Sequence, residues 1–149
     1  MIIKNNTCYE VSTALREAVF EYPTDGLTVE IKYCPRGSGR YISGTYYRVA
    51  RNYENGKLIR LRINRWNRYP VAVQFKTSEY YRQRDAKGRE TVYQKFRTVL
   101  FHTPEDLILA IFLHEFSHYL DHIEGRNGRY KQTKADKFAI SILERLGVI

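Results

Sequence analysis

The sequence predicts a single α+β domain spanning residues 1–149, with an N-terminal helix, an antiparallel-rich sheet and two C-terminal helices. Three patterns lead to this prediction. An amphipathic helical pattern opens the chain, alternating apolar and polar residues with turn signals fill its middle, and two helical patterns close it. The chain is long enough to bury one core, and 43% hydrophobic residues are typical of a globular protein.

The first 40 residues predict a helix, a strand and a turn. Residues 9–21 place apolar side chains on one helical face, namely Val11, Ala14, Leu15, Ala18 and Val19. Pro23 ends that pattern, and the β-branched alternation of LTVEIKY at 27–33 predicts a strand. The glycine-rich PRGSGR at 35–40 lacks GK[ST] and a following helical pattern, so a turn is favoured over a phosphate loop.

Two hairpins are predicted in the middle of the chain. Residues 41–53 and 57–66 alternate on either side of Glu54-Asn55-Gly56, and Asn-Gly is the strongest short hairpin signal. A second pair of alternating segments, residues 69–81 and 90–102, flanks RDAKGR. Together these segments predict one antiparallel sheet of four or five strands.

The C-terminal third predicts two helices. Thr103 is suited to cap a helix, Pro104 to occupy its first position, and Asp106 falls three residues after the cap. The helix is almost wholly apolar before His114, so we expect it to be buried, and glycines 125 and 128 should end it. A last helix at about 131–147 carries one apolar face, formed by Ala135, Phe138, Ala139, Ile142 and Leu143.

The long helix contains the motif HExxH, formed by His114, Glu115 and His118. Two imidazoles four residues apart lie on one helical face and can bind one zinc ion, while Glu115 can accept a proton from a water molecule. His122 lies about 12 Å further along the axis than His114 on a straight helix, so it is disfavoured as a third ligand. Tyr119 and Tyr130 are candidate oxyanion donors, although core packing is the favoured role of Tyr119.

These residues resemble a zincin metallopeptidase of the gluzincin type. In HtpX-like and ImmA/IrrE-like peptidases a second helix reads E-x-x-A-[DN]-x-x-A, and its glutamate is the third metal ligand. Residues 132–139 match that frame at Ala135, Asp136 and Ala139, but Gln132 stands at the ligand position. Because a neutral amide is a poor zinc ligand, we expect Asp136 to bind the metal directly. The alternative is that Asp136 orients His114, leaving Gln132 or water in the site.

The segment from about residue 27 to 122 is also similar to SprT-like and WLM metallopeptidases, which act on proteins bound to DNA. Their later histidine ligand and zinc ribbon have no counterpart here, so the family is not resolved. The metzincin branch is excluded because position 121 is not glycine and no methionine follows Met1. The resemblance implies that an edge strand pairs with the substrate backbone, within 57–64 or within 91–101.

The charge of the chain adds a possible partner. The formal net charge is +9, and much of the excess is arginine interleaved with aromatic residues: Arg48, Arg51, Arg60, Arg62, Arg65, Arg68, Arg82, Arg84, Arg89 and Arg97. Arginine beside aromatic rings suits phosphate and base contacts, so nucleic acid is a candidate partner. A solvated strand face that prevents edge-to-edge aggregation is the alternative.

We therefore expect a zinc-dependent metallopeptidase that hydrolyses peptide bonds, with proteins associated with nucleic acid as candidate substrates. The alternative function is a degenerate zincin-fold module that binds nucleic acid through its arginine-rich sheet. The N-terminal residues lack the apolar core of a signal peptide, and no apolar run is long enough for a membrane span. Cys8 and Cys34 are expected to be free thiols, and we expect a cytoplasmic protein.

Overall fold

The computed structural model describes residues 1–53, 56–126 and 131–149. Within these ranges it contains three helices and six strands in two sheets, a mixed architecture consistent with the predicted α+β class. The elements are β1 (Ile2–Asn5), α1 (Ser12–Ala18), β2 (Leu27–Tyr33), β3 (Ile42–Tyr47), β4 (Lys57–Ile63), β5 (Val71–Arg84), β6 (Glu90–Phe101), α2 (Pro104–Ile123) and α3 (Gln132–Arg145).

The larger sheet has the strand order β1-β2-β4-β3. The hairpin β3–β4 is antiparallel as predicted, but β2 pairs in parallel with both β1 and β4. The prediction of one antiparallel sheet was therefore wrong. Turn signals show only which strands are joined by a tight turn. They do not show that β4, which is more buried than its hairpin partner β3, lies in the interior of the sheet between β2 and β3.

The second sheet is the predicted hairpin of β5 and β6, with the register Val71↔Phe101 at its base and Arg84↔Glu90 at its tip. Near the base, Phe75 and Phe101 are buried and their rings meet edge to face. A register shift lies between Lys76 and Tyr80. Beyond that shift nearly every residue of the hairpin is exposed, so only its base contributes to the hydrophobic core.

Helix α2 is the central element of the core. Thr103 caps it by accepting a hydrogen bond from the Asp106 amide, and Pro104 is its first residue, as predicted. The helix lies across β3 and β4, and α3 packs against both α2 and β5. Its buried residues Phe112 and Phe116 pack against each other with their ring centroids 5.5 Å apart. This packing fixes the face of α2 on which His114 and His118 lie.

The remaining predictions differ from the structure mainly at helix ends. Helix α1 is shorter than the predicted 9–21, and α3 is one to two residues shorter at each end than 131–147. Gly125, with a φ of +67°, follows the end of α2. The predicted turn residue Asn55 and helix terminator Gly128 lie outside the described residues. In the part of the chain that is described, no helix is both long and apolar enough to cross a bilayer.

Candidate metal centre

His114 and His118 lie one turn apart on α2 with their Nε2 atoms 3.3 Å apart. The two rings are nearly perpendicular, at 81°. Two ring nitrogens that each lie about 2.1 Å from one tetrahedral ion are separated by about 3.4 Å. The rings therefore converge with the spacing that one shared ion requires.

Asp136 holds His114 from the adjacent helix α3. Its Oδ1 atom lies 2.6 Å from His114 Nδ1, and its Oδ2 atom accepts a hydrogen bond of 2.8 Å from the backbone amide of Lys76. The carboxylate is buried, with 8% of the residue exposed. Each carboxylate oxygen of Asp136 therefore already has a hydrogen-bond partner in the protein. The carboxylate lies at Nδ1 of His114, whereas the other ring nitrogen, Nε2, faces His118.

Gln132 begins α3 one turn before Asp136, and its side chain raises the pKa of both His114 and His118. Burial alone lowers the pKa of His114, but the hydrogen bond to Asp136 and the charge of Glu115 outweigh it, so this pKa is raised. Burial and the charge of His114 together lower the pKa of His118 to about 4. His118 is therefore neutral near pH 7, the form that can ligate a metal.

Glu115 lies beside the histidines and is held by the edge strand β3. Its Oε1 atom is 4.0 Å from His114 Nε2, and the backbone amide of Tyr46 donates a hydrogen bond to its carboxylate. Burial raises the pKa of Glu115, although the charge of His114 and the Tyr46 amide oppose that effect. A buried carboxylate with a raised pKa is suited to exchange a proton near neutral pH.

The strand β3 can approach α2 this closely because residue 44 is glycine. A Cβ added to Gly44 would lie 2.7 Å from Ile111 Cγ2 and 3.0 Å from Glu115 Cγ. Any larger residue would push the strand away from the carboxylate that Tyr46 holds. Gly44, Tyr46 and the amide of Lys76 were not predicted as site residues, since strand alternation gives no signal for a contact between a strand backbone and a distant helix.

Three other polar residues of α2, His122, Asp121 and Tyr119, form hydrogen bonds with residues other than His114 and His118. His122 Nδ1 lies 2.6 Å from the Tyr46 hydroxyl, and Asp121 accepts a 2.6 Å hydrogen bond from Lys134 Nζ. Tyr119 is buried in the core, and its hydroxyl donates to the carbonyl of Asp25. These contacts agree with the structural role that was favoured for Tyr119. Tyr130, the other candidate oxyanion donor, lies outside the described residues.

A cleft of about 370 Å³ lies at the start of β3, one helical turn along α2 from His114. It lies between the start of β3 at Ile42 and the start of β5 at 71–74, and Ile111 of α2 also lines it. Of the two segments proposed as the substrate-pairing edge, 57–64 is not an edge, because β4 has β2 on one side and β3 on the other, whereas β6, within 91–101, pairs with β5 alone among the described strands. The edge strand that lies over α2 is β3.

No group of three or more histidine, cysteine, aspartate or glutamate side chains is arranged to hold a metal ion among the described residues. The predicted trio of His114, His118 and Asp136 therefore stays a prediction. The two imidazoles converge, but the nearest carboxylates face other partners.

The arginines do not form one basic sheet face. Four of them lie beside carboxylates: Arg60 beside Glu30, Arg82 beside Glu90, Arg89 beside Asp85 and Arg97 beside Glu144. The others are divided between the two sheets and the loops that follow β3 and β4. Binding of nucleic acid through the arginine-rich sheet, which the alternative function requires, stays a prediction.

A scan against models of known protein families finds no match to this chain, and searches of curated proteins and of solved structures find none either.

Proposed function

We propose that this chain is a zinc-dependent peptidase in which His114 and His118 bind the metal and Glu115 is the general base. The observation that carries the proposal is the 3.3 Å separation of the two Nε2 atoms, beside a buried carboxylate. Two imidazole donors suit zinc among the common divalent ions. Among the described residues no third side chain completes a set with the two imidazoles, so we expect zinc to bind more weakly than in a three-ligand site.

In this proposal Asp136 positions His114 rather than ligating the metal. Its contact with Nδ1 fixes the tautomer in which Nε2 carries the free electron pair. Direct ligation by Asp136, the role first expected, requires either Oδ1 to leave His114 Nδ1 or Oδ2 to leave the Lys76 amide. Gln132, one turn before Asp136 at the start of α3, stands at the position that carries the third ligand in the peptidases that this segment resembles.

His114 and His118 would hold the divalent ion, which would supply Lewis-acid activation of a water molecule and of the scissile carbonyl. Glu115 would accept a proton at its carboxylate and later donate it to the leaving amine. The Tyr46 amide holds the carboxylate in place for both steps. The outer edge of β3 has no strand partner in the described part of the chain and borders the cleft, so it is the edge where an extended peptide can pair.

Zinc binding tests the first half of the proposal. After dialysis against excess zinc, we expect about one ion per wild-type chain and almost none for His114→Ala. His102→Ala is the matched control, because His102 is exposed and precedes α2. His122→Ala should also keep its zinc. Equal zinc content in wild type and His114→Ala would contradict the proposed site.

Hydrolysis tests the second half. Zinc-loaded wild type should cleave casein or its own chain, whereas Glu115→Gln should bind zinc and lose activity by about 10²-fold or more. Glu105→Gln is a control for the loss of one carboxylate on α2, at the start of the helix. If wild type and Glu115→Gln behave alike, the peptidase proposal fails and a non-catalytic module remains.

A further inference from the structure

A pocket distant in sequence from the histidines lies at the carboxyl ends of two parallel neighbours, β2 and β4. Tyr33 ends β2 and Ile63 ends β4, and the two residues are paired in the sheet. The loops that follow both strands leave at this edge and enclose a pocket of about 590 Å³. The carboxyl ends of parallel strands are a common place for ligands in open α/β sheets.

The walls of this pocket are fixed by hydrogen bonds between the two loops. Asn64 donates through Nδ2 to the carbonyls of Ser38 and Arg40, both at 3.2 Å, and its Oδ1 accepts from the backbone amide of Trp66. The first loop turns at Pro35–Ser38, where Ser38 donates to the Pro35 carbonyl and Gly37 has a φ of +84°. The pocket is therefore preorganised rather than a gap between mobile loops.

Its lining combines two guanidinium groups with two aromatic rings. Arg65 lies over the ring of Tyr33 at 4.1 Å from the centroid, a contact that restrains its planar fork. Arg36 also lines the pocket, and neither arginine pairs with a carboxylate among the described residues. None of the lining residues is acidic. Trp66, on the rim, is 78% exposed.

We propose that this pocket binds a nucleoside phosphate, either a free nucleotide or one unit of a single-stranded nucleic acid. The base stacks on the exposed indole of Trp66, because every base presents a π-face to an aromatic ring. The phosphate lies between Arg36 and Arg65, whose guanidinium groups match its oxygens in pairs. The proposal is independent of the peptidase proposal, since the pocket shares no residue with the histidine site.

The chain offers a direct probe, because Trp66 is its single tryptophan. Stacking should quench the intrinsic fluorescence when the protein is titrated with AMP or with a ten-residue oligothymidylate. Quenching by both identifies a mononucleotide site, and quenching by the oligonucleotide alone identifies a strand site; either result supports the proposal. Inorganic phosphate and oligoglutamate should leave the fluorescence unchanged. Equal quenching by oligoglutamate would overturn the proposal in favour of a general anion site.

The affinities of substituted proteins then locate the site. They are measured by the fluorescence anisotropy of a labelled oligothymidylate or by calorimetry with AMP. We expect Trp66→Ala to weaken binding about tenfold and Trp66→Phe to retain most of it. Arg65→Ala should also weaken binding and lower the slope of log affinity against log salt by about 1. Arg84→Ala is the matched control, because Arg84 is an exposed arginine at the tip of the β5–β6 hairpin.

The Arg84→Ala control also distinguishes binding in the pocket from non-specific electrostatic attraction of nucleic acid by the net charge of +9. Less than a twofold effect of Arg84→Ala beside tenfold losses in the pocket variants would establish the site. Equal losses in Arg84→Ala and Arg65→Ala would show that the whole basic surface binds, and the pocket proposal would be abandoned. It would also be abandoned if neither AMP nor the oligonucleotide bound, whatever the outcome of the zinc and hydrolysis experiments.

Discussion

Replacing Gly44 by alanine tests whether close contact of β3 with α2 builds the site. The added Cβ would lie 2.7 Å from Ile111 Cγ2, 3.0 Å from Glu115 Cγ and 3.2 Å from Leu61 Cδ2. Isoleucine in a helix is almost confined to one χ1 rotamer, so its branch methyl cannot swing aside. The helix and strand must separate instead, and overpacking of this kind costs about 1–3 kcal/mol.

Part of that loss is offset because alanine reduces the conformational entropy of the unfolded chain by about 0.4–1 kcal/mol. We therefore expect a net loss of about 1–2 kcal/mol, or about 3–6 °C in melting temperature for a chain of this size. Gly39→Ala is the matched control, because a Cβ there meets no atom within 4 Å and the φ of Gly39 is not positive. It should be neutral or slightly stabilising.

Urea unfolding followed by circular dichroism gives the free energy of unfolding of both variants. Hydrolysis by Gly44→Ala should fall as well, because the Tyr46 amide moves away from the Glu115 carboxylate. If Gly44→Ala and Gly39→Ala agree within 0.5 kcal/mol, the contact between β3 and α2 is not as tight as the distances indicate and the reasoning is refuted.

Three further predictions concern the ligand set and the stability of the fold. Gln132→Glu supplies a carboxylate at the position of the third ligand in the peptidases that this segment resembles, and should tighten zinc binding by at least about tenfold in competition with a chelating dye. Lys131→Gln changes the net charge by the same amount and should leave the zinc affinity unchanged. Asp136→Asn keeps an oxygen that can accept the hydrogen bond from His114 Nδ1, so it should weaken zinc binding only about tenfold. Asp136→Ala removes that oxygen and should weaken zinc binding nearer a hundredfold. Equal losses of zinc affinity in the two variants would favour direct ligation of the metal by Asp136. Hydrogen bonds from Tyr53, Lys32 and Arg60 lower the pKa of Glu30 from 4.5 to about 2 against the opposing effect of burial. The ionised Glu30 carboxylate therefore contributes its full stabilisation above pH 4.5 and loses it as the pH falls towards 2. The free energy of unfolding of wild type should exceed that of Glu30→Gln by up to about 3 kcal/mol less at the lower end of that range than at the upper end. Urea unfolding midpoints at each pH measure this difference, and a difference that stays constant with pH would contradict the prediction.

The elements that could be predicted are those whose signals are local. The cap at Thr103, the buried face of α2 and the β3–β4 and β5–β6 pairings each depend on residues close together in the chain. The parallel pairing of β2 with β4 and the short strand β1 were missed. Parallel neighbours are joined by long connections, so no turn signal marks them, and four residues are too few for a reliable alternation.

The candidate site also combines residues that local spacing predicts with contacts that come from distant parts of the chain. Helical spacing alone places His114 and His118 on one face, since residues four apart are neighbours on any α-helix. The sequence narrowed the third metal ligand to Asp136, Gln132 or water, but the choice between a ligating and a positioning Asp136 depends on the Lys76 amide, 60 residues away in the chain. The Tyr46 amide beside Glu115 also comes from a strand that the sequence left unassigned to the site.

What the sequence by itself determined is the helix that carries HExxH, the hairpins and the chemistry of the side chains, because periodicity and turn residues act over a few residues. Only the tertiary structure decided that β3 is the edge beside Glu115, that both oxygens of Asp136 are engaged, and that two distant loops enclose a pocket around Arg65 and Trp66. Those contacts form when buried strands and helices pack together, and packing depends on the shape and burial of the whole chain rather than on any local pattern.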